Sequence, residues 1–189
     1  MEKGALISNC SLKELNTWQC GGRCLWLAAP ASVSEAASLI ERARDSSTEL
    51  YVLGGGSNIL VQDGLLNAGV ISSAAMDSLA LREEGGAVFA EAGAGLPVRK
   101  MLALALERGL GGLAFLAGIP GTVGGALYGN AGAAGESFAP LVEWIETLSR
   151  NGEPRSWRRD ELRWQYRTSP WTEPPLLITK ALFRLPYEP

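Results

Sequence analysis

The sequence predicts an α+β chain built as two small lobes, residues 1–72 and 73–189. Three observations carry that expectation: a strand–helix–strand order in the first part, a strand-rich second part around one well-formed helix, and a glycine cluster in each part. A chain of 189 residues is long enough to bury a core without staples.

In the first part, Leu25 to Ala29 is a short apolar run that reads as a strand. Ser32-Val33-Ser34-Glu35 then has the form of a capping box, and Val33, Ala36, Ala37 and Ile40 recur at helical spacing, with Glu41, Arg42 and Arg44 off that stripe. Leu50 to Leu53 reads as the next strand. Ile59-Leu60-Val61 and Gly69-Val70-Ile71 are two further short strand candidates, closing the first lobe near residue 72. In the second part, Ala87 to Ala92 has strand character behind a turn at Glu83–Gly86. Pro97 opens a helix with Val98, Met101, Leu102 and Ala105 on one stripe, and Gly109 stops it. Leu141 to Ser149 and Glu153 to Trp157 flank Asn151-Gly152, a hairpin signal, and Leu176 to Leu185 makes a final strand.

The first glycine cluster, Gly54-Gly55-Gly56-Ser57-Asn58, follows the strand ending at Leu53. The second runs from Leu116 to Gly132 with apolar residues interleaved, unlike a flexible linker. Glycine lets backbone come close to a partner, and Pro120 is suited to open a helical turn whose free amides face an anion. Either cluster alone reads as a tight turn. Two in one small protein point to a large phosphate-bearing cofactor held between two lobes. The glycine spacing of a Rossmann dinucleotide fingerprint is not met, and Asp77 is read as chance rather than as its acidic residue.

Composition narrows the chemistry. Histidine is absent, which removes Ser-His and Cys-His nucleophile pairs and His-rich zinc sites. Cys10, Cys20 and Cys24 lack zinc-ribbon spacing, so no metal is expected; Cys20 and Cys24 flank Gly21-Gly22-Arg23 closely enough to approach one another, but free and mostly buried thiols are the favoured reading. A net charge of −3 and the acidic residues interspersed among Arg155, Arg158, Arg159 and Arg163 argue against nucleic acid and for a solvated surface. No apolar run approaches a membrane span, and Met1-Glu2-Lys3 opens no signal peptide, so a cytoplasmic protein is expected.

The order of motifs resembles the UDP-N-acetylenolpyruvoylglucosamine reductase family. Asn16-Thr17-Trp18 and Gly21-Gly22 resemble its entry motif. Leu53 to Leu60 resembles its first flavin loop. Gly118-Ile119-Pro120-Gly121-Thr122-Val123-Gly124-Gly125-Ala126 and Asn130-Ala131-Gly132 resemble its second, and Tyr166-Arg167-Thr168-Ser169 its Tyr-Arg-x-Ser motif. The resemblance covers most of the chain. It implies a two-lobed fold of the vanillyl-alcohol-oxidase type, with FAD between the lobes and NADPH as electron donor. Gly54, Gly55, Gly56, Ser57, Asn58 and Ile59 would then meet the cofactor from one side. Gly118, Ile119, Pro120, Gly121, Thr122, Gly124, Gly125, Asn130 and Gly132 would meet it from the other. By the same resemblance Tyr166 and Arg167 contact a sugar-nucleotide substrate, with Tyr166 a pocket wall and Arg167 steadying an enolate. A surface arginine packed on Trp164 or Trp171 is the other reading of Arg167.

The chain departs from the family at Ala114, Gly129 and Ala134. It offers no counterpart for the family's proton-donating serine or C-terminal glutamate, and Ser169 belongs to another motif. A C-terminal substrate domain is therefore expected to be reduced, lost or supplied by a partner chain. Three functions stay open: a reductase of peptidoglycan-precursor synthesis, a flavin-binding redox or regulatory module, and a scaffold without cofactor. Retention of both glycine loops disfavours the last.

Overall fold

The computed structural model describes residues 5–165 and 167–187. β1 (Leu6–Ser11) leads through a 3-10 turn at Lys13–Leu15 to β2 (Arg23–Ala28), which pairs antiparallel with it. α1 (Val33–Asp45) carries the chain over to β3 (Glu49–Leu53), and β4 (Leu65–Ser72) inserts between β2 and β3, parallel to both. The resulting sheet has the order β1-β2-β4-β3. Its parallel strands end together at Leu53 and Ser72, where the first glycine loop begins.

The capping residue of α1 acts as its chemistry requires. Ser32 Oγ accepts from the Glu35 amide at 3.2 Å, and Glu35 Oε2 accepts from the Ala31 amide at 2.8 Å, one residue further out than a reciprocal box would have it. Replacing Ser32 with Ala is expected to cost about 1 kcal/mol, read as a lower urea midpoint at unchanged slope. Ala36, Ile40 and Ala43 form the buried stripe. Val33, expected on that stripe, is exposed, because it lies in the first turn ahead of the contact that Ala36 and Ile40 make with Ile71.

β5 (Leu79–Glu84) and β6 (Ala87–Gly93) follow as a hairpin whose loop is Gly85-Gly86, both at positive φ (58° and 74°), the requirement of a type I′ turn. After them come α2 (Val98–Glu107), α3 (Val123–Tyr128), the two-residue strands β7 (Gly132–Ala133) and β8 (Glu136–Ser137), β9 (Val142–Leu148), β10 (Pro154–Arg158) and β11 (Leu177–Leu185). Strands β10-β9-β11-β6-β5 make an antiparallel sheet in that order. Central β11 is buried along most of both faces, Lys180 and Arg184 being its less buried positions, so its apolar residues do not simply alternate.

The main core lies between this sheet and α2 and α3. Phe138 is fully buried, edge-on to Phe115 at 5.3 Å and tilted against Phe183 at 5.0 Å. Trp171 stacks on Tyr128 of α3 at 6.4 Å and meets Trp157 of β10 at 6.5 Å, joining the last hairpin to the second glycine segment. A smaller cluster contains Ala36 and Ile40 of α1, Ile71 of β4, Leu148 of β9 and Leu177 of β11. One helix thus packs on both sheets and holds their relative position.

Ile59-Leu60-Val61 does not form the expected strand. It runs as loop, with Leu60 80% exposed, because β4 already occupies the place between β2 and β3. The three cysteines are free; Cys24 is buried while Cys10 and Cys20 are half-buried.

Candidate functional site

Both parallel strands β3 and β4 deliver their carboxyl ends to a cleft of about 380 Å³. Leu53, Gly54 and Gly55 line it from β3, Ser72 and Ala74 from β4, and Leu15, Asn16 and Thr17 from the turn after β1. Ligands in α/β sheets collect at such carboxyl ends. Leu15, Ser72 and Ala74 were not singled out by sequence reasoning. Ser72-Ser73 closing an apolar strand was the available signal.

The two glycine loops touch. A Cβ built on Gly55 would lie 2.8 Å from Gly121 Cα, one on Gly121 would lie 2.9 Å from Ser57 Oγ, and one on Gly54 would lie 2.9 Å from Thr122 Oγ1. Gly56 is at φ 66° and backs onto the Leu15 carbonyl, which a side chain would strike; its own carbonyl accepts from the Thr17 amide at 3.0 Å. Among the described residues, the amides of Gly55, Gly56, Ser57, Asn58, Gly121 and Thr122 donate to no protein acceptor. Backbone donors on two abutting loops are the kind of array that can cradle an anion. Ile59 and Asn58, at the far end of the first loop, are exposed.

The second loop is anchored differently from the sequence expectation. Pro120 does not open a helix. Thr122 is the cap of α3, its Oγ1 accepting from the Gly125 amide at 3.4 Å, because a hydroxyl can satisfy a free amide and proline has nothing to offer one. The next amides are also consumed: Val123 donates to Leu96 O at 2.9 Å and Gly124 to Ala94 O at 2.8 Å. The donors available to an anion are therefore those before the helix. Gly124 lets α3 approach β6, since a Cβ there would stand 2.7 Å from Ala94 Cβ. Gly118 and Gly121, at φ 82° and 106°, turn the chain on either side of Pro120, and Ile119 packs on the main core.

Asn130 closes α3 in the left-handed region (φ 42°), with its amide donating to Leu127 O at 3.2 Å and the Ala131 amide to Ala126 O at 2.7 Å, the pair of bonds of a Schellman ending. Its Nδ2 donates to Gln165 O at 2.7 Å. That bond ties the segment carrying Arg167 to the second glycine loop across 35 positions of sequence. Asn130→Gly should keep the turn and free the tether; Asn130→Ala should lose both. We expect Asn130→Ala to be the less stable of the two by about 1 kcal/mol in urea melts. Gly132 sits in the β7–β8 pair, where a side chain would strike the Glu136 carbonyl.

Arg167 is exposed and held at φ 55° beside the Gln165–Thr168 bridge. Tyr166 lies outside the described residues. Four buried side-chain atoms lack a protein partner among the described residues: Asn16 Oδ1, Asn130 Oδ1, Ser169 Oγ and Trp171 Nε1. The Asn16 atom belongs to a residue lining the cleft, and Asn130 and Ser169 flank the tether. No group of three or more Cys, Asp or Glu suited to a metal ion occurs among the described residues, and no helix among them is long and apolar enough to cross a membrane. In the arginine cluster, Arg155 lies over the Trp157 ring at 3.4 Å and pairs with Glu161 at 3.7 Å on the surface.

Comparison with known proteins agrees with this geometry. The model of the FAD binding domain family matches residues 25–156. The UDP-N-acetylenolpyruvoylglucosamine reductase of Parasynechococcus marenigrum strain WH8102 is 38% identical over 182 residues, covering 96% of this chain and 60% of that protein. The crystal structure of UDP-N-acetylenolpyruvylglucosamine reductase from Thermus caldophilus superposes with a TM-score of 0.79 at 28% identity, over 98% of this chain and 63% of that one. A vanillyl-alcohol-oxidase-type flavoprotein from Myceliophthora thermophila shares the fold, with a TM-score of 0.65 at 15% identity over 87% of this chain and 32% of its own. The fold is thus the two-lobed α+β flavoprotein fold of the vanillyl-alcohol-oxidase type. The chain spans about 60% of the length of the Parasynechococcus relative.

Proposed function

Because this chain belongs to the FAD binding domain family, we propose that it holds FAD across the junction of its two glycine loops. The observation that carries the reading is the contact of Gly55 with Gly121, which sets two loops bearing unpaired amides side by side at the edge of the cleft. A pyrophosphate needs that kind of donor array, and loops of any other residue type would be held too far apart to provide it. The orphaned Asn16 Oδ1 at the cleft is a further polar atom suited to a bound group.

From the name of its relatives we infer the reaction class: reduction of the enolpyruvyl ether of a sugar nucleotide in peptidoglycan-precursor synthesis, in the cytoplasm, with NADPH as donor. Bound FAD supplies the two-electron carrier between donor and substrate. The protein's own part is to bind, orient and stabilise charge. A guanidinium can pair with both oxygens of a carboxylate, so Arg167 would steady negative charge developing next to that group. Tyr166, its neighbour in sequence, is assigned as a wall of the substrate pocket. Asn130 holds the arginine's segment against the second glycine loop through Gln165.

A second reading, a flavin-binding redox or regulatory module, rests on the family match, which is to an FAD binding domain and names a cofactor rather than a reaction. NADPH oxidation by the flavin-loaded chain, with and without the enolpyruvyl sugar nucleotide, separates the two. Substrate-dependent oxidation supports the reductase; oxidation unaffected by substrate supports the module.

A further inference from the structure

Cys20 and Cys24 lie nearest one another in sequence. The sheet instead sets Cys10 of β1 directly opposite Cys24 of β2. Residues opposite each other on antiparallel strands project to the same face. The surroundings agree: Cys24 belongs to a buried cluster with Leu12, Leu27 and Val70, and Cys10 packs against that same cluster. Cys24 Sγ lies 3.6 Å from the Cys10 carbonyl. Two residues along, the Leu12 amide donates to Gly22 O at 3.0 Å, so the alternation of the ladder makes Cys10 and Cys24 a hydrogen-bonded pair. Such pairs have Cα atoms about 5.5 Å apart, inside the range of about 4.4–6.8 Å that a disulfide spans.

We propose that Cys10 and Cys24 are a modification site: a reversible disulfide across β1 and β2, formed by exchange with a low-molecular-weight disulfide. The thiolate of Cys10, on an edge strand and half-buried, attacks one sulfur of the small disulfide, releasing one thiol and leaving a mixed disulfide on Cys10. Cys24 then loses its proton to solvent, attacks the Cys10 sulfur and expels the second thiol. Two protein thiols are oxidised and one small disulfide is reduced to two thiols. Burial first, and the neighbouring Cys10 second, push the Cys24 thiol above its ordinary range, which suits it to the second, intramolecular step rather than the first. The bond would clamp β1 to β2 just ahead of the Leu15–Asn16 turn that backs Gly56 and lines the cleft.

The test is incubation of the full chain with oxidised glutathione, alkylation of the remaining thiols, and mass spectrometry of the intact protein and its unreduced peptides. The expected product has lost two hydrogens, carries one alkylated thiol at Cys20, and yields a peptide pair joined through Cys10 and Cys24. Its melting temperature should rise by about 5 °C and return on reduction. Cys20→Ser should behave as the parent, and Cys24→Ser should stop at a glutathione adduct on Cys10. Three alkylated thiols after oxidation, a link through Cys20, or a stable adduct on Cys10 in the parent chain would each overturn the assignment.

Discussion

Replacing Gly55 with Val is expected to abolish flavin retention while leaving the chain folded. The new Cβ would stand 2.8 Å from Gly121 Cα, 3.2 Å from Gly121 C and 3.5 Å from the Thr122 amide nitrogen. All three are backbone atoms, so no side chain can swing aside, and the loops must part. Parting them separates the donors that must act together on one pyrophosphate. Gly55 itself is exposed and lies outside the core clusters, so the loss should not propagate into stability. Purified Gly55→Val should be colourless with a melting temperature close to that of the parent apoprotein. Gly129→Ala is the matched control: its Cβ meets only Gly125 O, at an ordinary 3.8 Å, and it should stay yellow. Gly124→Val does not serve as a second probe, because its Cβ strikes Ala94 and would unseat α3 from β6. A yellow Gly55→Val protein with parental occupancy would show that the loops do not act as one cradle.

Arg167→Ala should divide the reaction into two. Electron entry from NADPH requires the flavin and room beside it, and should change little. If Arg167 steadies the enolate as proposed, its removal should slow passage to an enolpyruvyl substrate by about 10²–10³, the usual cost of deleting one preorganised charge partner. Stopped-flow mixing of the reduced protein with substrate, without oxygen, reads the step directly. Arg167→Lys should recover only part of the rate, since an ammonium keeps the charge but loses the two-point geometry. Rapid turnover insensitive to Arg167→Ala would remove the arginine from the mechanism.

Local chemistry explains which parts of this fold could be read beforehand. The α2 stripe, the Ser32 cap and the Asn151-Gly152 turn are set by residues within a few positions of each other, and all three are found. β1 and β5 went unrecognised. Both are edge strands, and Leu-Ile-Ser-Asn-Cys-Ser and Leu-Ala-Leu-Arg-Glu-Glu are largely exposed, so neither carries a clear apolar pattern. Ile59 to Val61 shows the converse error, an apolar run with no open place in the sheet. At the site, the glycine loops were visible as composition. Their mutual contact, the spending of the α3 amides on Ala94 and Leu96, and the Asn130–Gln165 tether are long-range and had no local signature.

Flavin titration of the apoprotein reads out whether two abutting loops form one pyrophosphate cradle. FAD carries a pyrophosphate and FMN does not. Loss of two or more charge-assisted hydrogen bonds should weaken FMN by at least about a hundredfold relative to FAD. One FAD should bind per chain, with FMN weaker by that margin and Gly55→Val erasing the difference. Equal affinity for the two flavins, or no binding of either at saturating concentration, would contradict it.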